Sequence, residues 1–525
     1  MADTAGPGTS GVRTAEIIAA ISMATDLAMG FPLEQGLRSS VIAARLCDRL
    51  DVDRDTASQA YFLSLLFYVG CNAPADIGWD VFGDDDSLRT YATPFRFGTR
   101  AEAARGMMRA VAPPTAAPHL RAWRLTRHFP ELAMGFAGVV DATCEVARML
   151  TDELGLGPPV SNLVAYESAR WDGKGFPGGV AGDEIPLAVR IAHVAQDVAF
   201  QDTLGGSAFV ADVIGQRAGG AFDPRVARAF TEDAAEILDF ESDLPLWEMA
   251  LGCEPKPWSM LDGETIDRAL AAMGHFTDMA IPEFVGHSSG VATTTQAAAQ
   301  VLSFDTMDTL TVHRAALVHD LGRASVSVRI WGKKGPLTLD DWERIRLHAY
   351  HTERILSQSP FLSALVPAAG FHHEHLDGKG YHRGVGASSL PPTARLLAAA
   401  DAYHAMTEPR PHRPALSRGA AADVLAEDAR AGRLDPESVA AVLEASGHRA
   451  PPVPWPAGMT EREIQVVRLL ARGMQTKQVA RSLQISPKTA DFHIQSAYRK
   501  MGVSTRAGAI LFAMQHGLIT WENSR

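Results

Sequence analysis

Apolar residues recur at three- and four-residue spacing in RSSVIAARLCDRL (38–50), ASQAYFLSLLFYV (57–69) and TTQAAAQVLSF (294–304), the period of a helix with one buried face. β-branched alternation is scarce in these stretches, so the pattern predicts an all-α body. The punctuation is sharper near the C-terminus. Thr460 and Glu463 have capping-box spacing, Gly473 is a stop, and Ser486-Pro487 opens another helix with a hydroxyl cap and a proline where its missing N–H costs least. Four short helices are predicted there, the second over about 476–483 and the third from Ser486.

The long body repeats itself. Asp172-Gly173-Lys174-Gly175 precedes Ile185-Pro186 and Arg190, and Asp377-Gly378-Lys379-Gly380 precedes Leu390-Pro391 and Arg395, with the same Asp-to-Arg spacing of 18. The first copy holds roughly 45 additional residues between its Leu66-Phe67-Tyr68 helix and its DGKG turn, which we read as a loop subdomain. PPVPWP (451–456) sets four prolines in six residues and marks a semi-rigid spacer. The predicted organisation is a flexible tail 1–12, a first repeat 13–252, a second 262–448, a proline-rich linker 449–458 and a terminal domain 459–525.

Composition adds limits. At 525 residues, 46% apolar and 21% charged, the chain reads as several globular domains. Four scattered cysteines without a CxxC pair argue against a disulfide framework. No leader-like N-terminus and no long uncharged apolar run is present, so a cytoplasmic protein without a membrane span is expected. Net charge is −12, yet residues 457–525 hold ten Lys/Arg against four Asp/Glu, a basic tail on an acidic body.

Of 18 histidines, 13 lie between 262 and 448 and none precedes His119. Glu283 and His287 stand four apart, which on a helix would place both on one face. His319-Asp320 and His372-His373 are adjacent pairs that could serve two ions, or one ion with the carboxylate bridging. With His348 and Asp401 these make five imidazoles and three carboxylates, a donor mixture suited to iron, manganese or zinc.

HDLGR (319–323), HHEHLDGKGY (372–381) and ARLLAAADAYHAMTEPRPHR (394–413) resemble the HD-GYP subfamily of HD-domain metal phosphohydrolases over about 262–448. The resemblance implies an all-α bundle around two or three divalent ions, usually iron or manganese, held by Glu283, His287, His319, Asp320, His348, His372, His373 and Asp401. It also implies a cyclic di-GMP-type nucleotide second messenger as substrate, with His319, Asp320 and Arg323 catalytic. Arg323, Asp377, Gly378, Gly380, Tyr381, Arg410 and Arg413 would meet the substrate. The sequence departs from the family's Gly-Tyr-Pro at Gly380-Tyr381-His382, has Arg323 after HDxG where the family usually has Lys, and carries His404 near the last ligand.

The first repeat keeps the turn and loses the donors. Opposite the double histidine and the glutamate after it stand Glu167, Ser168 and Ala169, opposite Asp401 stands Gln196, and opposite the HD pair stand Phe67 and Tyr68. That copy is expected to hold no metal and to serve sensing, dimerisation or structure.

In the tail, the third helix is predicted to turn Ala490, Ile494, Tyr498 and Met501 inward, leaving polar and basic residues outside. Gln can read adenine, an apolar ring can meet a thymine methyl, and cations or hydroxyls can hold phosphate. MTEREIQVVRLLARGMQTKQVARSLQISPKTADFHIQSAYRKMGVSTRAGAI resembles the LuxR-type helix-turn-helix domain, which implies docking of the third helix in the major groove of double-stranded DNA, usually as a homodimer. The candidate DNA-binding residues are Lys477, Lys488, Thr489, Asp491, Phe492, Gln495 and Arg499. Three readings follow: a phosphodiesterase placed by DNA binding, a DNA-binding regulator that senses a nucleotide without turnover, and a hydrolase of another phosphorylated nucleotide.

Overall fold

The computed structural model describes residues 11–72, 81–82, 87–447, 456–515 and 518. Most of the tail 1–12 and of the linker 449–458, and all but one residue beyond 515, lie outside them. The chain divides into two compact units, Arg13–Met260 and the residues from Leu261 onward, the latter with Val12. Both are helical bundles. Among the described residues the strands are Val12–Arg13 and Met260–Leu261, paired as a two-stranded ladder.

In the first unit the principal helices are α1 (Thr14–Ala28), α2 (Gln35–Leu50), α3 (Arg54–Leu66), α4 (Arg100–Val111), α5 (Pro118–Glu153), α6 (Leu187–Asp202), α7 (Ser207–Arg217) and α8 (Pro224–Glu232). In the second they are α9 (Gly263–Asp278), α10 (His287–Val301), α11 (Thr306–Val318), α12 (Leu339–Leu356), α13 (Pro392–Thr407), α14 (Arg418–Arg430) and α15 (Pro436–Ala445). Side-chain caps set many of the starts. Asp53, Asp305, Thr338, Ser417 and Asp435 each accept from an amide in the following first turn, satisfying donors that a helix cannot satisfy itself.

Equivalent contacts recur in the two units. Asp26 accepts from the Gly36 amide at 3.2 Å, and Asp278 accepts from the Ser288 amide at 2.8 Å, so α1 and α2 correspond to α9 and α10. A Cβ on Gly70 would strike the Thr143 carbonyl, and one on Gly322 would strike the His348 carbonyl. This pairs α3 and α5 with α11 and α12. The asparagine-like turn of each DGKG also repeats: Asp172 accepts from Lys174 N at 3.1 Å, and Asp377 from Lys379 N at 3.0 Å, with Gly173 at φ +68° and Gly378 at φ +73°.

The last glycine of each turn is there for space. An added Cβ on Gly380 would lie 2.6 Å from His373 O and 2.6 Å from His375 N, and one on Gly175 would lie 2.6 Å from Arg170 N. The turn therefore folds tightly over the segment that carries His372-His373 in one unit and Glu167-Ser168 in the other.

The described residues of the inserted stretch are largely helical. His319 to His348 spans 29 positions and Phe67 to Thr143 spans 76, so 47 residues are inserted ahead of Thr143. Those that are described include a π-turn (Leu88–Ala92), a 3-10 turn (Thr93–Phe95), α4 and the start of the 36-residue α5. The loop expectation fails because Thr99 and Glu102 close a capping box that nucleates α4.

Beyond the linker lie α16 (Glu461–Ala471), α17 (Thr476–Ser482), α18 (Pro487–Met501) and α19 (Arg506–Gln515). Glu463 accepts from Thr460 N at 2.7 Å, Ser496 Oγ at 2.6 Å and Lys500 Nζ at 2.7 Å, which ties the start of α16 to α18. Val466, Leu470, Val479, Ala490 and Ile494 form the small core between these helices.

Gly175→Ala should destabilise the first unit by about 2 kcal/mol through backbone overpacking, whereas Gly138→Ala, on an open stretch of α5, should stabilise it by about 0.5–1 kcal/mol. Denaturant melts of the two variants check this; equal effects would contradict the close approach.

Candidate metal centre

Five elements bring seven of the eight expected ligands together. His287 is the first residue of α10, His319 caps the C-terminus of α11 with Asp320 next to it, and His348 lies inside α12. His372 and His373 sit beneath the DGKG turn, and Asp401 is on α13. Six of the side chains are buried; His373 remains 23% exposed.

Asp320 is the midpoint. Its Oδ1 lies 3.2 Å from His348 Nε2 and 3.6 Å from His372 Nε2, while Oδ2 lies 3.0 Å from His319 Nε2 and 3.5 Å from His287 Nε2. Asp401 Oδ1 is 3.1 Å from His287 Nε2, and its Oδ2 is 3.7 Å from His373 Nδ1. Two four-residue clusters result, Asp320-His348-His372-His373 and His287-His319-Asp320-Asp401, each with donor atoms within 4.8 Å of one another. They share Asp320. The carboxylate thus stands where it can bridge two ions, and both members of the double histidine lean to one of the two clusters.

The rings are held from behind. His319, His348 and His372 donate from Nδ1 to the carbonyls of Ala316, Ile345 and Ala369 at 2.7, 2.6 and 2.6 Å, and His287 donates from Nδ1 to Glu408 at 2.8 Å. These bonds fix the tautomer and aim each Nε2 at the centre. His319 Nε2 and Asp320 Oδ1 are buried without a hydrogen bond among the described residues. Inward-facing lone pairs of mixed imidazole and carboxylate type fit a borderline divalent cation.

Charge follows the same geometry. Burial opposes protonation of His287, but Glu408, Asp320 and Asp401 carry that ring well above its ordinary pKa. Burial likewise opposes protonation of His319, yet Asp320 and Asp401 raise it to about 9. Against their own burial, Asp320 is held well below the usual carboxylate range by Arg323 and His319, and Asp401 by the His287 and His319 rings beside it. The pocket demands positive charge.

Glu283 is not among the converging groups. Pro282–Phe284 is a 3-10 turn and Gly286 has φ +84°, so Glu283 and His287 do not share a helical face. The expected four-residue spacing is broken by these two residues. Arg323 places Nη2 2.6 Å from Asp320 Oδ2 and lies 4.6 Å from the Phe284 ring centre. Its Nε and Nη1 are buried without a hydrogen bond among the described residues. Tyr381 stacks on His373, with ring centres 4.3 Å apart.

The other expected substrate groups have partners within the fold. Arg410 bonds Glu408 at 3.0 Å and the Glu283 carbonyl at 3.2 Å. Arg413 donates to the carbonyls of Met406, Glu408 and Pro414. Asp377, Gly378 and Gly380 build the turn. Sequence reasoning missed Glu408, whose only signal was an acidic residue seven positions after Asp401 in TEPRP.

In the tail, α18 buries Ala490, Ile494, Ala497 and Met501, with Tyr498 half-buried against the core. Lys488, Thr489, Asp491, Phe492, Gln495 and Arg499 are exposed on that helix, and Lys477 is exposed on α17. Phe492 is 64% exposed, an unusual place for a ring unless something covers it.

Residues 275–438 match the HD domain family, and residues 457–513 match the family of bacterial regulatory proteins of luxR type. The chain is 28% identical over 440 residues to 3'3'-cGAMP-specific phosphodiesterase 3 of Vibrio cholerae, covering 82% of this chain and 94% of that one. It is 31% identical over 183 residues to the cyclic di-GMP phosphodiesterase response regulator RpfG of Xanthomonas campestris, covering 34% of this chain and 47% of that one. The crystal structure of a cyclic GMP-AMP specific phosphodiesterase of V. cholerae superposes with a TM-score of 0.58 at 23% identity, over 84% of this chain and 99% of that one, a likeness of fold.

Elemental analysis of reconstituted protein should find two divalent ions per chain, with Asp320→Asn removing both. Glu408→Gln should weaken retention about 10- to 100-fold by freeing the His287 ring. Full occupancy in Asp320→Asn would refute the bridging assignment.

Proposed function

We propose that this chain, which carries an HD domain and a LuxR-type domain, is a cytoplasmic DNA-binding regulator whose second unit hydrolyses a cyclic dinucleotide. The observation that carries the reading is the two-sided environment of Asp320, one oxygen toward each cluster of imidazoles. Two divalent ions held by His287, His319, Asp320, His348, His372, His373 and Asp401, iron or manganese by donor type, would supply Lewis acidity for phosphodiester hydrolysis.

The protein's own part is positional. The carbonyl and Glu408 bonds hold the rings, and Asp320 keeps the two clusters in register. The unused Nε and Nη1 of Arg323 are donors for a phosphate oxygen, and the Tyr381 ring, stacked on His373, offers a flat wall to a base. Water adds across one P–O ester bond and a linear dinucleotide results. The named relatives act on 3'3'-cGAMP and cyclic di-GMP, which makes these the first substrates to test.

The tail binds double-stranded DNA through α18, and dimerisation would place two such helices on a palindrome. The acidic body opposes DNA approach, so affinity should fall steeply with salt. A sensor without turnover remains the second reading. It is favoured by Arg323, which already neutralises an Asp320 oxygen that a metal would use.

Protein loaded with manganese or iron should convert cyclic dinucleotide to the linear product by chromatography. His319→Ala with Asp320→Ala should abolish this while DNA affinity is unchanged. Background turnover in the loaded protein, with nucleotide shifting DNA affinity, would select the sensor reading. On the DNA side, Lys488→Ala should weaken all sequences alike, and Gln495→Ala should cost about 1–3 kcal/mol at one base pair. A uniform loss from both changes would contradict the groove-facing assignment.

A further inference from the structure

Where the second unit gathers its metal ligands, the first unit holds a cavity of about 400 Å³. The repeat fixes the correspondence. Thr143 and Glu167 are 24 residues apart, as are His348 and His372, and Phe67-Tyr68 follow α3 as His319-Asp320 follow α11. Tyr68 therefore stands for Asp320, Cys71 for Arg323, Thr143 for His348, and Glu167-Ser168 for the double histidine. Of these, Tyr68, Cys71, Thr143, Glu167 and Ser168 line the cavity. Among the described residues, no cluster of metal-binding type lies in this unit.

The cavity has a wall that the second unit lacks. Arg96, Phe97, Ala103 and Met107 come from the 47-residue insertion. Arg96 binds Glu167 at 2.7 Å, so the acid that replaces His372 is answered by a cation from the inserted segment. The guanidinium lies 5.2 Å from the ring centres of both Phe67 and Tyr68. Burial raises the Glu167 carboxyl and Arg96 counters it. This pair is internally compensated.

What it leaves is an apolar interior with a basic rim. Met29, Phe97, Met107, Val139 and Val140 supply hydrocarbon, and the volume is that of a small-molecule site rather than of trapped water. At the rim stand Arg100, Arg170 and Lys174. Asp172 takes Arg170 at 3.2 Å and Lys174 at 3.5 Å, one acid between two cations, while Arg100 is exposed and without an ion pair among the described residues. Hydrocarbon walls under a rim of three cations and one acid, with Arg100 unpaired among the described residues, select an acid with an apolar body.

We propose that the emptied metal cavity of the first unit is a binding site for a small organic acid, an aryl or alkyl carboxylate, sulfonate or phosphate, whose anionic end meets Arg100 and its neighbours at the rim. The duplicated fold has thus exchanged a hydrolytic centre for a receptor pocket. The proposal does not depend on turnover by the second unit.

The test uses the full chain and anilinonaphthalene sulfonate, an aromatic acid whose fluorescence rises in apolar surroundings, with decanoate as competitor and neutral N-phenylnaphthylamine as control. One saturable site per chain is expected, displaced by decanoate. Ala103→Trp, which fills the hollow, should weaken it at least tenfold, and Arg100→Glu should weaken the sulfonate severalfold without affecting the neutral dye. Metal content of the second unit should be unchanged in both variants. Should Ala103→Trp fail to fold, the exposed Arg100→Glu still decides the matter. Absence of saturable sulfonate binding, or binding indifferent to Arg100→Glu, would overturn the proposal.

Discussion

The approach of Gly322 to the backbone of His348 and Thr352 governs the rest of the second unit. Only a residue without a Cβ lets the chain after Asp320 lie against α12, and there Thr352 receives the Gly322 amide and donates to the His319 carbonyl, both at 2.9 Å. The 3-10 turn that follows Asp320 is thereby locked against α12, which brings His319 and Asp320 to the same centre as His348. Once that crossing is set, the double histidine needs only the DGKG turn to fold over it, and α13 needs only to bring Asp401. The same crossing, Gly70 against Thr143, is made in the first unit, where it frames a hollow.

Much of this was legible because metal chemistry demands scarce residues at definite intervals. Five imidazoles in fixed order cannot be mistaken for a satisfied core, and the DGKG turns announced the repeat through residues chosen for backbone conformation and space. The Glu283-His287 pair misled because four-residue spacing implies a shared face only on a continuous helix, and Pro282 with Gly286 interrupts it. Glu408 was invisible because it acts through His287, across 121 positions of chain. Arg413, expected to meet the substrate, has donors on the carbonyls of Met406 and Glu408, partners that its sequence position does not announce. Helicity of the insertion was signalled by Thr99 and Glu102 but outweighed by the expectation that added residues form loops.

The tail shows the converse. Its short helices carry their instructions locally, in caps and in a stripe of small apolar residues, so the outward face of α18 could be read almost residue by residue. Ala497 took the buried place expected of Tyr498, whose bulk stays half-covered at the edge of the core. Lys500, although exposed, is held by Glu463 and the Gly458 carbonyl, which leaves Lys488 and Arg499 as the cations of the helix without a bond among the described residues.

The position of the 47-residue insertion bears on how one ancestral bundle could take two careers. It enters between the segment bearing the HD pair and the helix bearing the next histidine, the join across which a shared cation would have to be gripped from both sides. The added chain leaves the crossing of Gly70 on Thr143 intact and lays a partition of Arg96, Phe97, Ala103 and Met107 beside it, while the missing donors are a matter of the side chains at Phe67, Tyr68, Thr143, Glu167, Ser168 and Gln196. One scaffold thus frames a crowd of inward donors in one copy and a hollow in the other, with the turn and the glycine crossings common to both.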